Sequence, residues 1–498
     1  MPTLRSIRSR TLFRAALCAL VLVGAAAWPS VAQTGGEWSQ FQGGAGHTGV
    51  LVDGPEPPYR ELWRYHPPKG ALSGAVLAGG NAFAVGTDAV YALDLSTGQV
   101  AWQVARGGGP LSMPAVGTAG EREVLVYLDG PRVFAGQGGA SPTASPSPSA
   151  SPSGSEPAEG AVSELVAVDL ADGSELWRTA LDTEVHSGVT IDGDRAFVGD
   201  WNGTVYAVDL ASGTIDWTAH AIGRVESPPA VGDGHVYVVA RDPDAQKVQL
   251  LALDEASGQQ AWEFSPQAGA AAGSAVSTAD GTVVFGTGDR YVRGFSAEDG
   301  SVLWSSLALT FFSPATGPSI QPDGLFIADV SGGVYRLDPS DGARIWDHQL
   351  NDLLVRSSPV VVGGDVLVGT NEGRLSAIDI ESGNLVWQSA GSPGLIGAIA
   401  LSSDTLVAVK GGREAGLVGF ANDPAGILVD VPSPTVLDLS GLLGAFAVAF
   451  VVCAAVLYVP SRLLRKRFGP AFAEAEDEGE GEHEEGVEVE DEGEDNRS

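Results

Sequence analysis

The chain is built from short runs of alternating apolar and polar residues, separated by turn residues. In residues 188–219, the runs GVTI, RAFVGD, GTVYAVDL and TIDWTA follow one another with Asp and Gly at the joins. A period of two residues predicts β-strands, and Asp-Gly clusters predict tight turns between them. Each such unit therefore predicts one four-stranded antiparallel sheet.

The unit recurs about every 40 residues along the chain. Its signature is an Asp, a Gly four residues later and a Trp eight residues later. The signature tryptophans are Trp102, Trp177, Trp217, Trp262, Trp304, Trp346 and Trp387. The matching acids are Asp94, Asp169, Asp209, Asp254, Asp338 and Asp379, and the fifth copy has Ser296 at this position. Trp63 lies 39 residues before Trp102 and supplies an eighth tryptophan.

Repeated sheets of this kind must stack, because one sheet cannot bury both of its faces alone. The Asp carboxylate can accept hydrogen bonds from the turn, and the Gly can adopt a positive φ. The Trp should lie on the outermost strand and contact the next sheet, where burying roughly 200 Å² stabilises by about 5 kcal/mol. The sequence thus predicts an all-β fold, an eight-bladed β-propeller of four-stranded blades, over residues 37–420.

Closure of the ring is predicted to use both ends of the propeller. The runs IGAIAL, TLVAVK and GLVGF supply three strands after Trp387, with no Trp strand following them. The strand containing Trp63 is expected to complete this blade. Seven blades plus an incomplete one is the alternative.

One interval is longer than the others, since Trp102 and Trp177 are 75 residues apart. The excess is a Ser/Pro/Ala-rich stretch, residues 136–160, which is typical of extended, disordered chain. It falls between the second and third strands of one blade.

The two ends of the chain indicate export and a membrane anchor. Residues 1–32 have the basic start, short apolar stretch and small-residue cleavage site of a signal peptide, with an uncleaved anchor as the alternative. After a linker, 421–438, residues 439–459 are apolar and uncharged, which predicts one transmembrane helix. The basic residues that follow, within 460–467, predict a cytoplasmic C-terminus. We expect a single-pass cell-membrane protein with an extracytoplasmic propeller and, over 460–498, a basic juxtamembrane segment and a disordered acidic tail.

Charge and cysteine content exclude several classes of function. The formal net charge is −34, and residues 33–435 hold 47 acids against 19 bases. Such a surface repels phosphates, so we expect no nucleic-acid partner. The two cysteines, Cys18 and Cys453, both lie in apolar terminal segments. The propeller therefore has no thiol for catalysis, disulfides or metal binding.

A second register marks the predicted mouth of the central channel. Small residues about ten positions after each Trp are expected to open the innermost strands; they are Ser73, Ser112, Ser187, Ser227, Ala272, Ser313, Ser357 and Gly397. The residues just before them should face the channel, and they are Leu72, Leu111, His186, Glu226, Ala271, Phe312, Arg356 and Ile396. We predict a small-ligand site formed by His186, Glu226, Phe312 and Arg356, with solvated, mutually paired side chains as the alternative. Trp201 could join this face. No catalytic or metal-binding residue is predicted.

The repeat resembles that of the pyrroloquinoline-quinone-like (PQQ-like) propeller family. Its Ala-x-Asp-x-x-x-Gly-x-x-x-Trp pattern is complete, for example, at Ala92/Asp94/Gly98/Trp102 and at Ala377/Asp379/Gly383/Trp387. The opening segment, from Trp38 to Gly49, also looks like the segment before the first blade in that family. The resemblance implies the fold, but the family spans quinone-dependent dehydrogenases, an outer-membrane assembly lipoprotein and sensor ectodomains.

The resemblance does not carry the chemistry of the dehydrogenases with it. Those enzymes use a carboxylate and an amide for Ca²⁺, a catalytic Asp and often a cysteine pair beside the quinone. This propeller has no Cys, and no Asn stands at a mouth position. We therefore expect no cofactor, with PQQ and calcium as the alternative.

The function predicted is a non-enzymatic binding, scaffold or sensing module. The alternatives are a quinone-dependent dehydrogenase and an envelope protein-assembly factor. Envelope proteins or a small ligand are the expected partners, besides the membrane itself.

Overall fold

The computed structural model describes residues 37–130, 163–266, 274–308, 316–354 and 356–425. The chain divides into two compact units at residue 433, and the second unit lies outside the described residues. So do the predicted signal peptide, the 136–160 insertion, the transmembrane segment 439–459 and the acidic tail. No helix in the described ranges is long and apolar enough to cross a bilayer.

The regular secondary structure of the described chain is β-strand, apart from two 3₁₀ turns at Phe41–Gly43 and Gly412–Glu414. The first nineteen strands are β1 (Val50–Leu51), β2 (Tyr59–Tyr65), β3 (Val76–Ala78), β4 (Asn81–Val85), β5 (Ala89–Asp94), β6 (Val100–Ala105), β7 (Ala115–Ala119), β8 (Arg122–Asp129), β9 (Ser163–Asp169), β10 (Glu175–Leu181), β11 (Thr190–Asp192), β12 (Arg195–Gly199), β13 (Thr204–Asp209), β14 (Ile215–His220), β15 (Arg224–Val225), β16 (Ala230–Gly232), β17 (His235–Asp242), β18 (Lys247–Asp254) and β19 (Gln260–Phe264). The others are β20 (Ser277–Ala279), β21 (Thr282–Gly286), β22 (Tyr291–Ser296), β23 (Val302–Leu307), β24 (Ser319–Gln321), β25 (Gly324–Ala328), β26 (Gly333–Leu337), β27 (Arg344–Gln349), β28 (Val360–Val362), β29 (Asp365–Gly369), β30 (Leu375–Asp379), β31 (Leu385–Gln388), β32 (Ile396–Leu401), β33 (Leu406–Lys410) and β34 (Gly416–Asn422).

These strands form eight antiparallel sheets, which confirms the predicted eight-bladed propeller. Blades 1 to 3 are β3–β6, β7–β10 and β11–β14. Blade 4 is β16–β19, with the short β15 added beside β17. Blades 5 to 7 are β20–β23, β24–β27 and β28–β31, and the short β1 pairs with β28 in parallel as the one exception to the antiparallel pairing of the described strands. The core lies between the faces of neighbouring blades, as where Val90 of blade 1 packs in one cluster with Tyr127 and Val166 of blade 2.

Blade 8 closes the ring in the predicted way, with strands from both ends of the propeller. Its inner three strands are β32, β33 and β34, and β2 forms the outermost strand. Trp63 pairs with Gly419 across this junction, in the register of the other signature tryptophans. Closure therefore depends on no residue after Asn422.

The signature residues join each blade to the next. The indole N–H of Trp217 donates to the carbonyl of Glu255, 3.0 Å away, and its ring lies against Gly258 of the same turn. Gly258 has a φ of 70° and no space for a Cβ, which explains why the turn needs glycine. The same pair of contacts recurs from blade 8 round to blade 7, made by Trp63, Trp102, Trp177, Trp262, Trp304 and Trp346.

The N-terminal segment, residues 38–49, runs round the inside of the channel; we call it the hoop. The carbonyls of its Trp38, Ser39, Ala45, Gly46, Thr48 and Gly49 accept hydrogen bonds of 2.7–2.8 Å from the innermost strands of six blades. Blade 3 is reached by a side chain instead, since the Gln40 amide both accepts from the Ile191 N–H and donates to its carbonyl. Seven of the eight innermost strands thus have the second N–H of the strand satisfied by the hoop.

The ring has two distinct ends. At the turn face, the first hairpin of a blade bonds to its signature turn, as where Leu210 N–H donates to Asp194. At the mouth, the residues before each innermost strand meet the loop after the second strand, as where Trp201 N–H donates to Glu184. Both described ends of the propeller, at Glu37 and Ala425, adjoin turn-face residues: Glu37 bonds to Gly79 and Asp423 to Pro58.

Candidate functional site

Five of the small residues predicted to open the innermost strands lie three residues before them, whereas Gly397 lies within β32; the five are Ser73, Ser112, Ser187, Ser227 and Ser357. The hydroxyls of Ser73, Ser187 and Ser357 accept an N–H from the end of the second strand, as where Val85 donates to Ser73 at 3.0 Å and Gly369 to Ser357 at 2.7 Å. In blade 5 this position belongs to Ser274, which accepts from Gly286 at 2.9 Å. Ala272, predicted for this position, lies outside the described residues.

Three side chains at the mouth form a continuous stack between blades 3 and 4. The ring of His186 lies parallel to that of Trp201, with centroids 3.9 Å apart and an interplanar angle of 13°. The Arg224 guanidinium carbon lies 4.6 Å from the centroid of Trp201. A guanidinium over an indole is a cation–π arrangement. His186 comes from the segment before β11, Trp201 from the β12–β13 loop and Arg224 from β15, so two blades and the chain joining them build this stack.

Two ring nitrogens in this stack make no hydrogen bond. Trp201 Nε1 and His186 Nε2 are inaccessible to solvent yet have no hydrogen-bond partner among the described residues. His186 Nε2 does lie 2.9 Å from Glu184 Oε1, a distance suited to an ion pair if the imidazole is protonated, although the angles do not satisfy a hydrogen bond. Polar atoms left in this state are costly in isolation and become partners for a bound group.

Glu226, predicted as a member of the small-ligand site, is already paired. Arg241 donates to both of its oxygens, Nη2 at 2.5 Å and Nε at 3.2 Å. The bidentate geometry is the strong form of this interaction and neutralises the carboxylate. Arg241 is also the Cα partner of Arg224, so Glu226 lies one step from the stack. Its role at the mouth is to hold Arg241 beside β15.

The remaining predicted mouth residues lie elsewhere. Arg356 is exposed before the innermost strand of blade 7, four blades round the ring from His186. Leu72 and Ile396 are buried, at 7% and 4% exposure, so they face the core. Phe312 lies outside the described residues. The structure therefore brings His186 and Glu226 into one neighbourhood and places Arg356 across the channel from them.

A second polar cluster lies deeper, where the hoop contacts the innermost strands. His47 is fully buried, with Nδ1 3.0 Å from the Val276 carbonyl and Nε2 3.3 Å from Thr190 Oγ1. Burial lowers the pKa of His47 to about 4, against the opposing effect of the Val276 carbonyl. In blades 3, 4 and 7, one residue of the innermost strand donates its N–H to the hoop. The mouth residues His186, Glu226 and Arg356 each lie five positions before that residue, which is roughly 16 Å of extended chain. The hoop is thus a separate layer beneath the mouth.

The donor groups at the mouth do not form a metal site. No three His, Cys, Asp or Glu side chains converge as potential metal ligands anywhere in the described ranges. The carboxylate of Glu226 is committed to Arg241, and Glu184 lies beside His186. What the mouth can do chemically is bind, because it presents partly exposed aromatic and guanidinium groups.

Sequence reasoning missed Arg224 and Arg241. Neither carries the repeat signature. Arg224 belongs to β15, an added strand that the other described blades lack, and Arg241 lies near the end of β17, which is as long as β8 and longer than the other second strands. The signal available was the extra length between Trp217 and Trp262, the widest of the later intervals. Trp201, considered only as a neighbour of the predicted site, lies at its centre.

An eight-bladed ring with indole-to-turn contacts at its blade junctions defines a PQQ-like β-propeller. The chain belongs to the family whose model is described as "Outer membrane protein assembly factor BamB", which matches residues 161–308 and 245–422. This confirms the resemblance seen in the repeats.

Curated relatives carry the same description. The BamB of Moranella endobia is 28% identical over 235 residues, covering 44% of this chain and 51% of that protein. The BamB of Yersinia pestis is 25% identical over 306 residues, covering 48% and 76%. The chain thus spans about half the length of the Moranella protein. A serine/threonine-protein kinase, AfsK of Streptomyces coelicolor, is 26% identical over 42% of this chain and 27% of its own length.

Solved structures share the fold at lower identity. BamB from Moraxella catarrhalis aligns with a TM-score of 0.53 at 16% identity, covering 73% of this chain and all of that one. The quinohemoprotein alcohol dehydrogenase of Comamonas testosteroni aligns with a TM-score of 0.56 at 11% identity, covering 77% and 80%. At these identities the likeness extends to the fold alone.

Proposed function

We propose that this protein is a non-enzymatic scaffold that binds a protein partner in envelope protein assembly. Membership of the BamB-described family supports the assembly role. The basic flank after residues 439–459 supports a single-pass anchor in the cell membrane, with the propeller outside the cytoplasm and the acidic tail inside. Envelope proteins are then the partners, and the propeller supplies the binding surface.

The observation that carries the proposal is the stack of His186, Trp201 and Arg224 at the mouth. Trp and Arg are the residue types that contribute most to protein–protein binding energy, especially when a partner excludes water from them. Each is held before binding, Trp201 between two neighbours and Arg224 beside the Glu226–Arg241 pair, so little side-chain entropy is lost on association.

A role as a quinone-dependent dehydrogenase is disfavoured by the chemistry of the mouth. Bound Ca²⁺ requires free oxygen ligands, and Glu226, the nearest candidate, already accepts two hydrogen bonds from Arg241. Arg356, at blade 7, brings a positive charge to the other side of the same opening. These residues do not fit a quinone with its calcium. We therefore propose that the protein works without a cofactor.

The test uses a photo-crosslinking amino acid at two exposed positions of the full-length protein in membranes. It replaces Asn202, beside Trp201 at the mouth, or Asp404, on the turn face of blade 8. We expect a cross-linked envelope protein from position 202, none from position 404, and loss of the product on Trp201→Ala. A product that forms equally from position 404, or that survives Trp201→Ala, would overturn the mouth as the binding surface.

The enzyme alternative has its own measurement. We expect the propeller mixed with PQQ and Ca²⁺ to show no co-eluting quinone absorbance and no alcohol-dependent dye reduction. Stoichiometric quinone binding with dye reduction would establish the dehydrogenase in its place.

A further inference from the structure

The junction between blades 7 and 8 differs from the other seven. Blade 8 has no signature turn, because its third strand, β34, and its fourth, β2, come from opposite ends of the propeller. Trp387 of blade 7 therefore has no turn carbonyl to bond. Its ring contacts Tyr59 edge-on instead, with centroids 5.2 Å apart at 82°, and its indole N–H has no acceptor among the described residues.

A cleft of about 430 Å³ opens at this junction. Its apolar wall is formed by Trp387, Tyr59 and Phe420, and its polar side by Lys410 and Arg64. Pockets that hold small molecules fall in this size range and combine apolar walls with a few fixed polar groups. The cleft is a direct consequence of closure, since a turn would fill the space at any other junction.

Lys410 is the unusual residue of this cleft. Its side chain is only 3% exposed, although lysine is rarely buried. Its ammonium donates to Ser392 Oγ at 2.7 Å and to Glu414 Oε2 at 3.1 Å. An ammonium has three donors, and within the described ranges the third has no acceptor. A buried cation with an unused donor lines the cleft.

A second cation lies at the rim and shares a partner with the first. Arg64 donates to Glu414 at 3.2 Å and to both oxygens of Glu61. Hydrogen bonding from Lys410, together with both nearby cations, lowers the pKa of Glu414. Glu414 sits on a short 3₁₀ turn and is 37% exposed, so a ligand anion can take its place beside both cations. On a propeller as acidic as this one, two adjacent cations mark an anion site.

We propose that this cleft binds a small amphipathic anion, with a flat apolar body against Trp387 and Tyr59 and one acidic group on Lys410. The proposal is independent of the stack between blades 3 and 4 and of the assembly role. Recognition would be charge-assisted at one end and dispersive at the other, which favours monocarboxylates or sulfonates of one to three rings.

The experiment uses a pair of fluorescent probes that differ only in charge. The anion is 1-anilinonaphthalene-8-sulfonate and its uncharged counterpart is N-phenyl-1-naphthylamine. The protein is the fragment 33–433, because the ring closes on strands that end at Asn422 and forms one compact unit. We expect one saturable site for the anion and at least tenfold weaker binding of the neutral dye.

Lys410→Met keeps the length of the side chain and removes the charge. We expect it to weaken binding of the anionic dye about tenfold or more and to leave the neutral dye unchanged. Trp346→Phe, at a junction with a complete turn, is the matched control and should not alter either affinity. Equal affinity of wild type and Lys410→Met for the anion would overturn the proposal.

A variant in the opposite direction covers the case in which Lys410→Met does not fold. Glu414→Gln, at the exposed rim, removes the carboxylate that competes for both cations. We expect the anionic dye to bind severalfold more tightly to this variant. Added salt should weaken the binding of the anionic dye more than the binding of the neutral dye. Weaker or unchanged anion binding to Glu414→Gln would refute the assignment of Lys410 and Arg64 as the anion site.

Discussion

His47 makes the stability of the propeller sensitive to acid. It lies in the hoop, fully buried, against the Val276 carbonyl and the Thr190 hydroxyl, with Phe41 packed edge-on at 5.0 Å. The Thr190 hydroxyl donates to the Pro229 carbonyl at 2.6 Å. His47→Gln removes the titrating group and retains an amide that can reach the same neighbours.

The sign and size of the effect follow from the pKa. Burial lowers the pKa of His47 from 6.5 to about 4, so unfolding takes up a proton as the pH falls below 6.5. The stabilising contribution is complete above pH 6.5 and is lost as the pH falls from 6.5 toward 4. Between pH 7.5 and pH 5 the loss is about 2 kcal/mol, which is a large share of a typical folding free energy.

The measurement is urea unfolding at pH 7.5 and pH 5, followed by tryptophan fluorescence. We expect the wild type to lose about 2 kcal/mol more than His47→Gln between the two values. His220→Gln, at an exposed position on β14, is the control and should keep the wild-type pH dependence. If His47→Gln and the wild type lose the same free energy of unfolding, the imidazole is not held neutral in the hoop.

Three further changes test other parts of the ring. Asp365→Asn should stabilise the protein at pH 8, because burial, with Asp379 and Glu56 nearby, raises the pKa of Asp365 to about 7. The gain in stability should shrink as the pH falls below 7 and vanish near pH 4, which thermal melts at pH 8 and pH 4 measure. Trp217→Ala should cost about 3–5 kcal/mol and Trp217→Phe about 1 kcal/mol, in urea, since Phe loses only the bond to the next blade. Gln40→Ala should cost roughly 2–5 kcal/mol, because both main-chain groups of Ile191 lose their partner; a cost under about 1 kcal/mol would show that the hoop does not satisfy blade 3.

The fold was predictable because the residues that define the repeat make their contacts close by in the sequence. Asp209 and Gly213 form their turn within one hairpin, where Asp209 accepts from Ser212 at 2.8 Å and Gly213 has a φ of 75°. Trp177 needs only the next turn, 33 residues later, to find its acceptor, Leu210. A regular spacing of such residues fixes the blades and, by counting, their number. Trp63 then predicts the closure.

The site was less predictable because it depends on departures from the repeat. His186 and Glu226 share a repeat position, which correctly placed both at one end of the channel. Their roles depend on Arg224 and Arg241, which come from the irregular strands of blade 4 and have no counterpart elsewhere. The hoop was equally hidden. Its bonds are made by main-chain carbonyls, which leave no mark in the residue types of Ala45 or Thr48.

The ion pairs of blade 2 connect the insertion to the proposed binding surface. Asp129 and Glu164 face each other as Cα partners at the end of β8 and the start of β9, and residues 131–162 between those strands lie outside the described residues. Arg178 binds both carboxylates, and Arg106 lies 3.6 Å from Asp129, all with side chains at most 6% exposed. Buried charges are tolerated in a protein only when each has a partner of opposite charge. This network of ion pairs therefore holds the ends of β8 and β9 together. Because the loop after the second strand belongs to the mouth, the insertion leaves blade 2 at the same end as the stack between blades 3 and 4. Strands β8 and β9 therefore end at the face of the ring that carries Trp201, and the Arg178 ion pairs fix those strand ends there.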